Sequence, residues 1–598
     1  PGQTRQLTFA EAARETLTAS FELARHTAAR KWEAERARIE LLDAAGTIDI
    51  QTGDPDWDAA LAFSQRAGLG LLFRGGQNLP QPGFVSVRQP DQGFSRKGDG
   101  SDYAPGWSGG TPLEAYYLAG ILPGSPGFAR DALLNFLSTQ AESGEVDGKP
   151  GAGGQRSHLL AAPLMAALAW RFHRVCDDRS FLEEVHPKLN KFFWSWFSPE
   201  HDAARDGVPE WEHVLQTGFE DNPLFDVWHP WSQGVDISTV HTPLLAALLY
   251  HEAQSLKRIA QAIGALGEDP LLEAEAETLR TAVEAGWNPD NAIYTYLDRD
   301  SGSCLPAQEI LRGEPGETAF RPKMSFPQPV RIQVEIQTSE HGSGRPVVEM
   351  AEFATKGDVE VIEGKKLQWR TGGLSATSQK LYKRLGRLRV RGLGRKDTVI
   401  IRTVGLTAED LTLLMPIWAG IPDPRKVHSM LHRTIFAAER FGRPFGIPAL
   451  PSLPAPEAET AAMSVHLPWN SMIAEGLLEY GFQEEAAHIT ARLMNAVIQN
   501  LKERRAFYQR YHAETGAGIG ERNALSGFAP VGLFLQTLGV TILAPDRVRL
   551  EGKNPFPWPV TLRYKGLVVQ RNLENTAITF PNGTAATVTD PDPMVVEV

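Results

Sequence analysis

Val330-Arg331-Ile332-Gln333-Val334-Glu335-Ile336 places an apolar residue at every second position, which is the period of a strand. On its N-terminal side, from about residue 56 to 300, the chain reads as helix after helix. Candidates lie at 57–65, 113–122, 129–140, 159–175, 181–196, 242–263 and 271–286. On its C-terminal side the extended pattern continues through 358–363, 388–393 and 397–404, with the turn signals Gly342-Ser343-Gly344 and Gly372-Gly373 between. Residues 322–405 therefore read as a small β domain inserted into a helical chain.

Helical periodicity resumes at Leu406, with candidates at 408–414, 425–441, 470–480, 483–504 and 525–538. Strand signals return from residue 541, at 547–550, 559–564 and 567–570, with the turn Pro581-Asn582-Gly583. The expected organisation is a helical linker arm at 1–54, a first helical part at 55–321, the β insertion, a second helical part at 406–540 and a β segment at 541–598. The arm follows from the stretch 8–42, which lacks Gly and Pro and reads as one long helix or a helical pair. Helices before and after the insertion sum to about a dozen. Two rings of six make an (α/α)6 toroid, so the fold class is mainly α with two β additions. An irregular bundle or a solenoid uses the same helices.

Composition narrows the function. The 598 residues carry a net charge of −12, with 42% hydrophobic and 22% charged residues, as an ordinary soluble globular protein does. An acidic balance disfavours nucleic acid as a partner. No apolar run of membrane-spanning length occurs, so no membrane partner is expected. Two cysteines, Cys176 and Cys304, build neither a zinc site nor a disulfide framework. They suit a reducing compartment, with the cytoplasm expected. A chain that opens on Pro1 without a signal peptide reads as a trimmed product.

Two loops concentrate chemistry. Residues 202–236 hold Asp202, Asp206, Glu210, Glu212, Glu220, Asp221, Asp226 and Asp236 among Trp211, Phe219, Phe225, Trp228, His229 and Trp231. A glycoside site needs a carboxyl group that protonates the leaving oxygen, and aromatic faces that hold the ring. Packing a carboxyl group among Trp rings raises its pKa toward that task. A solvated acidic loop or a calcium site uses the same residues, although EF-hand spacing is absent. The second loop runs Tyr508-Gln509-Arg510-Tyr511-His512-Ala513-Glu514-Thr515-Gly516 into Gly518-Ile519-Gly520-Glu521. A Gly-rich loop ahead of a helix also suits phosphate, but the P-loop order is missing. Gln155-Arg156 with His158 reads as a helix opening whose Arg reaches a carboxylate or a sugar hydroxyl, or solvent. Trp228, His229 and Trp231 read as the rim of a subsite or as core. Trp369 and Arg370 either close over the site or pack the insertion.

Thr217-Gly218-Phe219-Glu220-Asp221-Asn222-Pro223-Leu224-Phe225-Asp226 resembles the Ser-Gly-x-Asp-Asn-Ser-Pro-Arg-Phe-Asp motif of glycoside hydrolase family 63, and trehalases carry a similar loop. Leu413–Gly420, Phe445-Gly446-Ile447-Pro448 and Leu467-Pro468-Trp469-Asn470 follow in the family's order. Tyr511-His512-Ala513-Glu514-Thr515-Gly516 resembles the end of its Glu-Asn-Tyr-Asn-Pro-x-Thr-Gly motif. The resemblance covers about 56–320 and 406–540. It implies an inverting, exo-acting α-glycoside hydrolase on an (α/α)6 barrel, acting without cofactor or metal on a short glucoside or mannoside. The helical arm resembles the linker that follows an N-terminal β-sandwich in such enzymes, which implies a further domain upstream.

The alignment sets Glu220 at the family's acid, with Asp221 as second choice. The family's base falls on Gln509, whose amide cannot accept a proton from water. Glu521 then serves as base, or Glu514 swings in, or the site mainly binds glycans. Asp102 and Trp107 stand where related barrels hold sugar hydroxyls. Arg156, Trp228, His229, Trp231, Trp469, Gln509, Tyr511 and Glu514 complete the expected substrate-binding set. An epimerase, a lyase or a phosphorylase on the same barrel is the remaining alternative. The first two want His, Tyr or Arg as acid–base groups, and the third an anion site for which Arg156 is the one hint.

Overall fold

Thr242 turns the chain into its longest early helix. Its side chain accepts from the Leu245 amide at 3.4 Å, Pro243 fills the first helical position, and Gly264 ends the helix at φ 78°. In the computed structural model, which describes residues 9–12, 14, 16–31, 33, 46–87, 109–265, 267, 269–338, 346–352 and 359–598, this helix, Pro243–Ile263, packs on Met165–Cys176, Arg179–Ser195, Asp269–Ala285 and Met415–Ala419. The remaining helices of the body include Pro55–Gly70, Pro112–Ile121, Gly127–Leu137, Leu467–Glu479, Gln483–Arg504 and Val531–Thr537. They share one apolar core.

Several helices start or stop where side chains intervene. The helix expected over 159–175 begins at Met165. Pro163 and the left-handed His158 (φ 58°) precede it, and the buried Glu252 carboxylate accepts the Ala166 and Ala167 amides at 2.8 Å each. No helix opens at Arg156. The segment 408–414 is a 3-10 turn, Leu411–Leu414, capped by Asp410. The segment 425–441 stops as a helix at Met430 and continues as a π turn, Leu431–Ile435. Pro530 delays the last helix to Val531. Within 8–42, Leu17–Ala28 is a helix, residues 9–12, 14 and 29–31 are not helical, and most of the remaining span lies outside the described residues. Asp49–Gln51 is a strand that pairs with Val560–Tyr564 and so joins the start of the chain to a C-terminal sheet.

The strands between 309 and 403 form two larger antiparallel sheets. One runs Gln368–Arg370, Gly373–Thr377, Ile332–Gln337, Thr398–Thr403 and Glu309–Arg312. The other runs Glu360–Ile362, Val347–Ala351, Arg387–Arg391 and Ala319–Phe320. Ile332, Val334, Ile336, Val399 and Ile401 of the first share a second core with Val348, Met350, Leu388 and Val390 of the other. The alternation at 330–336 is real, but its polar side is not a solvent face. Gln333 and Glu335 are buried as well, because a loop of the helical body covers them. Arg331 fastens the same junction through ion pairs to Asp298 and Asp300.

Candidate active site

The loop at 213–236 is held rigid from below. Val214–Thr217 forms a 3-10 turn, and Gly218 takes φ 69° to leave it. A Cβ there would lie 3.0 Å from the Leu113 side chain, so the left-handed turn and the close approach both call for glycine. Asn222 is the pin. Its Oδ1 accepts the Leu224 and Phe225 amides at 2.9 and 3.3 Å, and its Nδ2 donates to the Tyr296 hydroxyl at 2.9 Å and to Asp410 Oδ2 at 3.0 Å. Tyr296 also donates to Asp410 at 2.6 Å. With Phe219 and Asn222 buried, the two carboxyl groups between them are fixed at the backbone.

Those neighbours differ in charge state. Asp221 is buried, ion-paired to Arg510, and 3.4 Å from His466 Nε2. Burial raises its pKa, but the His466 hydrogen bond and the Arg510 charge outweigh this and hold it at about 2. Glu220 is exposed and makes no hydrogen bond or ion pair among the described residues. Protein packed beside its carboxyl group and the adjacent Asp221 charge push its pKa up, while Arg510 and Lys149 pull it down. One neighbour is therefore a permanent anion and the other is biased toward keeping its proton.

Asp226 closes the loop. Its Oδ1 accepts the Trp228 and His229 amides at 2.6 and 3.2 Å, and its Oδ2 lies 2.7 Å from His229 Nδ1. Burial still raises its pKa. Ligand atoms of Asp221, Asp226 and His229 lie within 4.8 Å of one another. Arg510 already supplies the positive charge at Asp221, so the trio reads as an acid–base cluster.

The second loop is a hairpin rather than an irregular Gly-rich turn. Tyr508–His512 pairs with Gly518–Arg522, with a register shift between Tyr508 and Arg510. Gly527 lies against its base, where a Cβ would stand 1.5 Å from the Tyr508 carbonyl oxygen. The Gln509 amide covers Gly520. Glu521 is exposed and unpaired among the described residues. Glu514 sits on the turn and pairs with Arg443 at 3.2 Å. Tyr511 is buried and donates to the Gly527 carbonyl at 2.7 Å, which makes it a post of the hairpin. Trp469 is buried beneath the loop, its Nε1 3.4 Å from the Gly218 carbonyl. Arg156 donates to the neighbouring Gln155 carbonyl at 2.8 Å. Asp102 and Trp107 lie outside the described residues.

The structure thus draws Asp221, Asp226 and His229 together, with Glu220 next to Asp221 in the chain, and joins Asp221 to the hairpin of Gln509 and Glu521 through Arg510. Trp231 lies 5.3 Å from the His229 ring, and Trp228 opens to solvent. Sequence reasoning passed over Arg510, His466, Asn222 and Lys149. Arg510 follows Gln509 directly, yet nothing local reveals a partner 289 positions away.

The profile of the mannosylglycerate hydrolase MGH1-like glycoside hydrolase domain matches residues 114–313. No curated protein sequence matches the chain. Among solved structures, the GH63 mannosylglycerate hydrolase from Thermus thermophilus in complex with Tris and D-glycerate aligns at 13% identity and a TM-score of 0.50, over 79% of this chain and 99% of that one. The same enzyme in complex with glucose aligns at 15% identity and a TM-score of 0.46, over 73% and 95%. A sialidase aligns at 12% identity and a TM-score of 0.55, over 92% of this chain and 41% of its own. Neighbours so differently named share a fold, and a fold does not choose a sugar. No described helix is long and apolar enough to cross a membrane. Residues 114–313, which carry the acid–base loop, match an MGH1-like glycoside hydrolase domain.

Proposed function

We propose that the protein is an inverting, exo-acting α-glycosidase for short α-mannosides or α-glucosides. Its helices would form an (α/α)6 barrel, and its division would fall at 54/55, 405/406 and 540/541, with the insertion opening before the strand Glu309–Arg312, which belongs to its sheet, rather than at 321/322. The separate core among the strands from 320 to 401 supports the insertion. Glu220 is the acid. Its proton passes to the glycosidic oxygen as the C–O bond breaks, and a water on the opposite face attacks the anomeric carbon. Glu521, the unpaired carboxylate of the hairpin, takes that water's proton. Asp221 stays ionised and helps Glu220 keep its proton. Trp228, His229 and Trp231 line the ring's edge, with Asp102, Trp107, Arg156 and Gln509 as further contacts. The cytoplasm is the proposed compartment.

The opposite bias of two adjacent carboxyl groups, Glu220 up and Asp221 at about 2, carries this reading. The experiment is hydrolysis of an α-glucoside and α-mannoside panel by wild type and Glu220→Gln, with the product anomer followed by NMR. A β-anomer released by wild type and lost in the variant is expected. An α-anomer, or a variant as active as wild type, overturns it. The amide at Gln509 favours a second reading, a slow hydrolase that mainly holds glycans. Gln509→Glu raises turnover under that reading, and leaves it unimproved if Glu521 is the base.

A further inference from the structure

The strand Gln368–Arg370 sends neighbouring side chains to opposite faces, as strands do. Arg370 points inward and its side chain is 2% exposed. Its guanidinium donates to the Gln233 and Pro230 carbonyls at 2.7 and 2.9 Å, and also to the Ser232 carbonyl. Trp369 points outward and is 52% exposed. It meets Trp228, itself 45% exposed, with ring centroids 5.7 Å apart and planes inclined at 60°. The Trp228 backbone is pinned on both sides: its amide donates to Asp226 Oδ1 at 2.6 Å, and its carbonyl accepts from the Thr371 hydroxyl. The Thr371 amide donates to the Val227 carbonyl at 2.8 Å.

Two large apolar rings left in water beside each other are costly unless something covers them. Both are rigidly mounted, one on the acid–base loop and one on the β insertion. Asp226, which holds Trp228, has its carboxylate within 4.8 Å of that of Asp221. Trp228 is thus carried on the same loop as Glu220 and Asp221, with its backbone bonded to the Asp226 carboxylate that neighbours Asp221. Tilted aromatic faces suit the C–H faces of a pyranose, while the indole N–H edges suit its hydroxyls.

We propose that Trp228 and Trp369 form an aromatic subsite for the second sugar ring of an oligosaccharide substrate, beyond the bond that is cleaved. The insertion thereby sets substrate length. This rests on the glycosidase reading above, and its test does not require turnover. Glu220→Gln protein is titrated calorimetrically with an α-linked monosaccharide glycoside, disaccharide and trisaccharide, alone and combined with Trp369→Ala, Trp369→Tyr or Trp228→Ala. The parent is expected to bind the disaccharide about tenfold tighter than the monoglycoside. Trp369→Ala and Trp228→Ala should each remove most of that gain, and Trp369→Tyr should keep part of it. Affinity independent of length in the parent, or equal losses at every length, overturns the subsite. A failed anomer assay with an intact length dependence instead faults the catalytic assignment alone.

Discussion

Arg510 Nη1 donates to Asp221 Oδ2 across 289 positions of the chain, and with the His466 hydrogen bond this ion pair keeps Asp221 ionised beside Glu220, whose own pKa is raised by the protein packed beside it and by the Asp221 charge. Arg510 lowers the pKa of both Asp221 and Glu220. Replacing it with Gln removes a cation from each, so both rise. Glu220 then keeps its proton to higher pH, and the alkaline limb of kcat/KM moves upward. Leaving Asp221 buried without its partner costs about 3–5 kcal/mol of stability. A pH profile and thermal melts of Arg510→Gln check both. A limb that stays in place would detach Glu220 from the acid role.

Asn222→Asp tests the pin under the loop. The new carboxylate would lie 3.0 Å from Asp410 Oδ2, where an amide donor now sits. Asp410 is fully buried and already raised by burial. Two carboxylates at this distance share one proton, so the folded state of the variant binds a proton that its unfolded state releases. Its stability is then held at low pH and lost as pH rises. Urea melts should show a deficit of about 3 kcal/mol or more at pH 8 and a smaller one at pH 5. The same deficit at both would mean that packing alone was lost.

Much of this was legible in the chain, for physical reasons. The helix Gln483–Arg504 matches its expected span in full, because twenty-odd residues of one period carry a strong signal. The strands at 332–337 and 398–403 were equally plain. Residues 518–522 were not, since glycines hide the alternation of a short strand. The acidic, aromatic character of 202–236 marks that loop as the candidate site, and it is the resemblance, not the local pattern, that singles out Glu220 in it. What sets the proton balance could not be, because Arg510, His466 and Asp410 reach the loop only through tertiary structure. Trp469 and Tyr511 show the converse: aromatic residues in suggestive motifs that the fold uses as supports, with exposures of 1% and 0%. The burial of Gln333 and Glu335 was hidden too, because a polar face buried against a loop has the same pattern as one facing water.

Arg370→Lys probes how the insertion holds the acid–base loop. An ammonium is a point charge, and it cannot reproduce a fork to three carbonyls. The loop from 226 to 236 would loosen while its residues remain. Misplacement of about 1 Å costs on the order of a hundredfold in rate. A fall in kcat/KM of about 10- to 100-fold, carried mainly by kcat, is expected. A change confined to melting temperature would make Arg370 a purely structural residue.

Glu252 predicts how the whole fold responds to pH. Its carboxyl group accepts the Ala166 and Ala167 amides at 2.8 Å each, at the start of Met165–Cys176. Burial nevertheless raises its pKa from 4.5 to about 7, against the pull of those amides. Between these values the folded chain holds a proton that the unfolded chain gives up, so stability falls as pH rises through this window and levels off above it. The shift corresponds to about 3 kcal/mol. Glu275, raised to about 7 by burial and the Asp202 charge, adds to the same slope. Glu252→Gln cannot ionise. It should start less stable by about 1–2 kcal/mol, because its NH2 group faces one of the two amides. Its stability should also fall less steeply from about pH 4.5 to 7.5, with Glu275 left to supply the residual slope. Urea midpoints at several pH values across that range decide the matter. Parallel curves for variant and wild type would mean that Glu252 is already ionised in the folded protein.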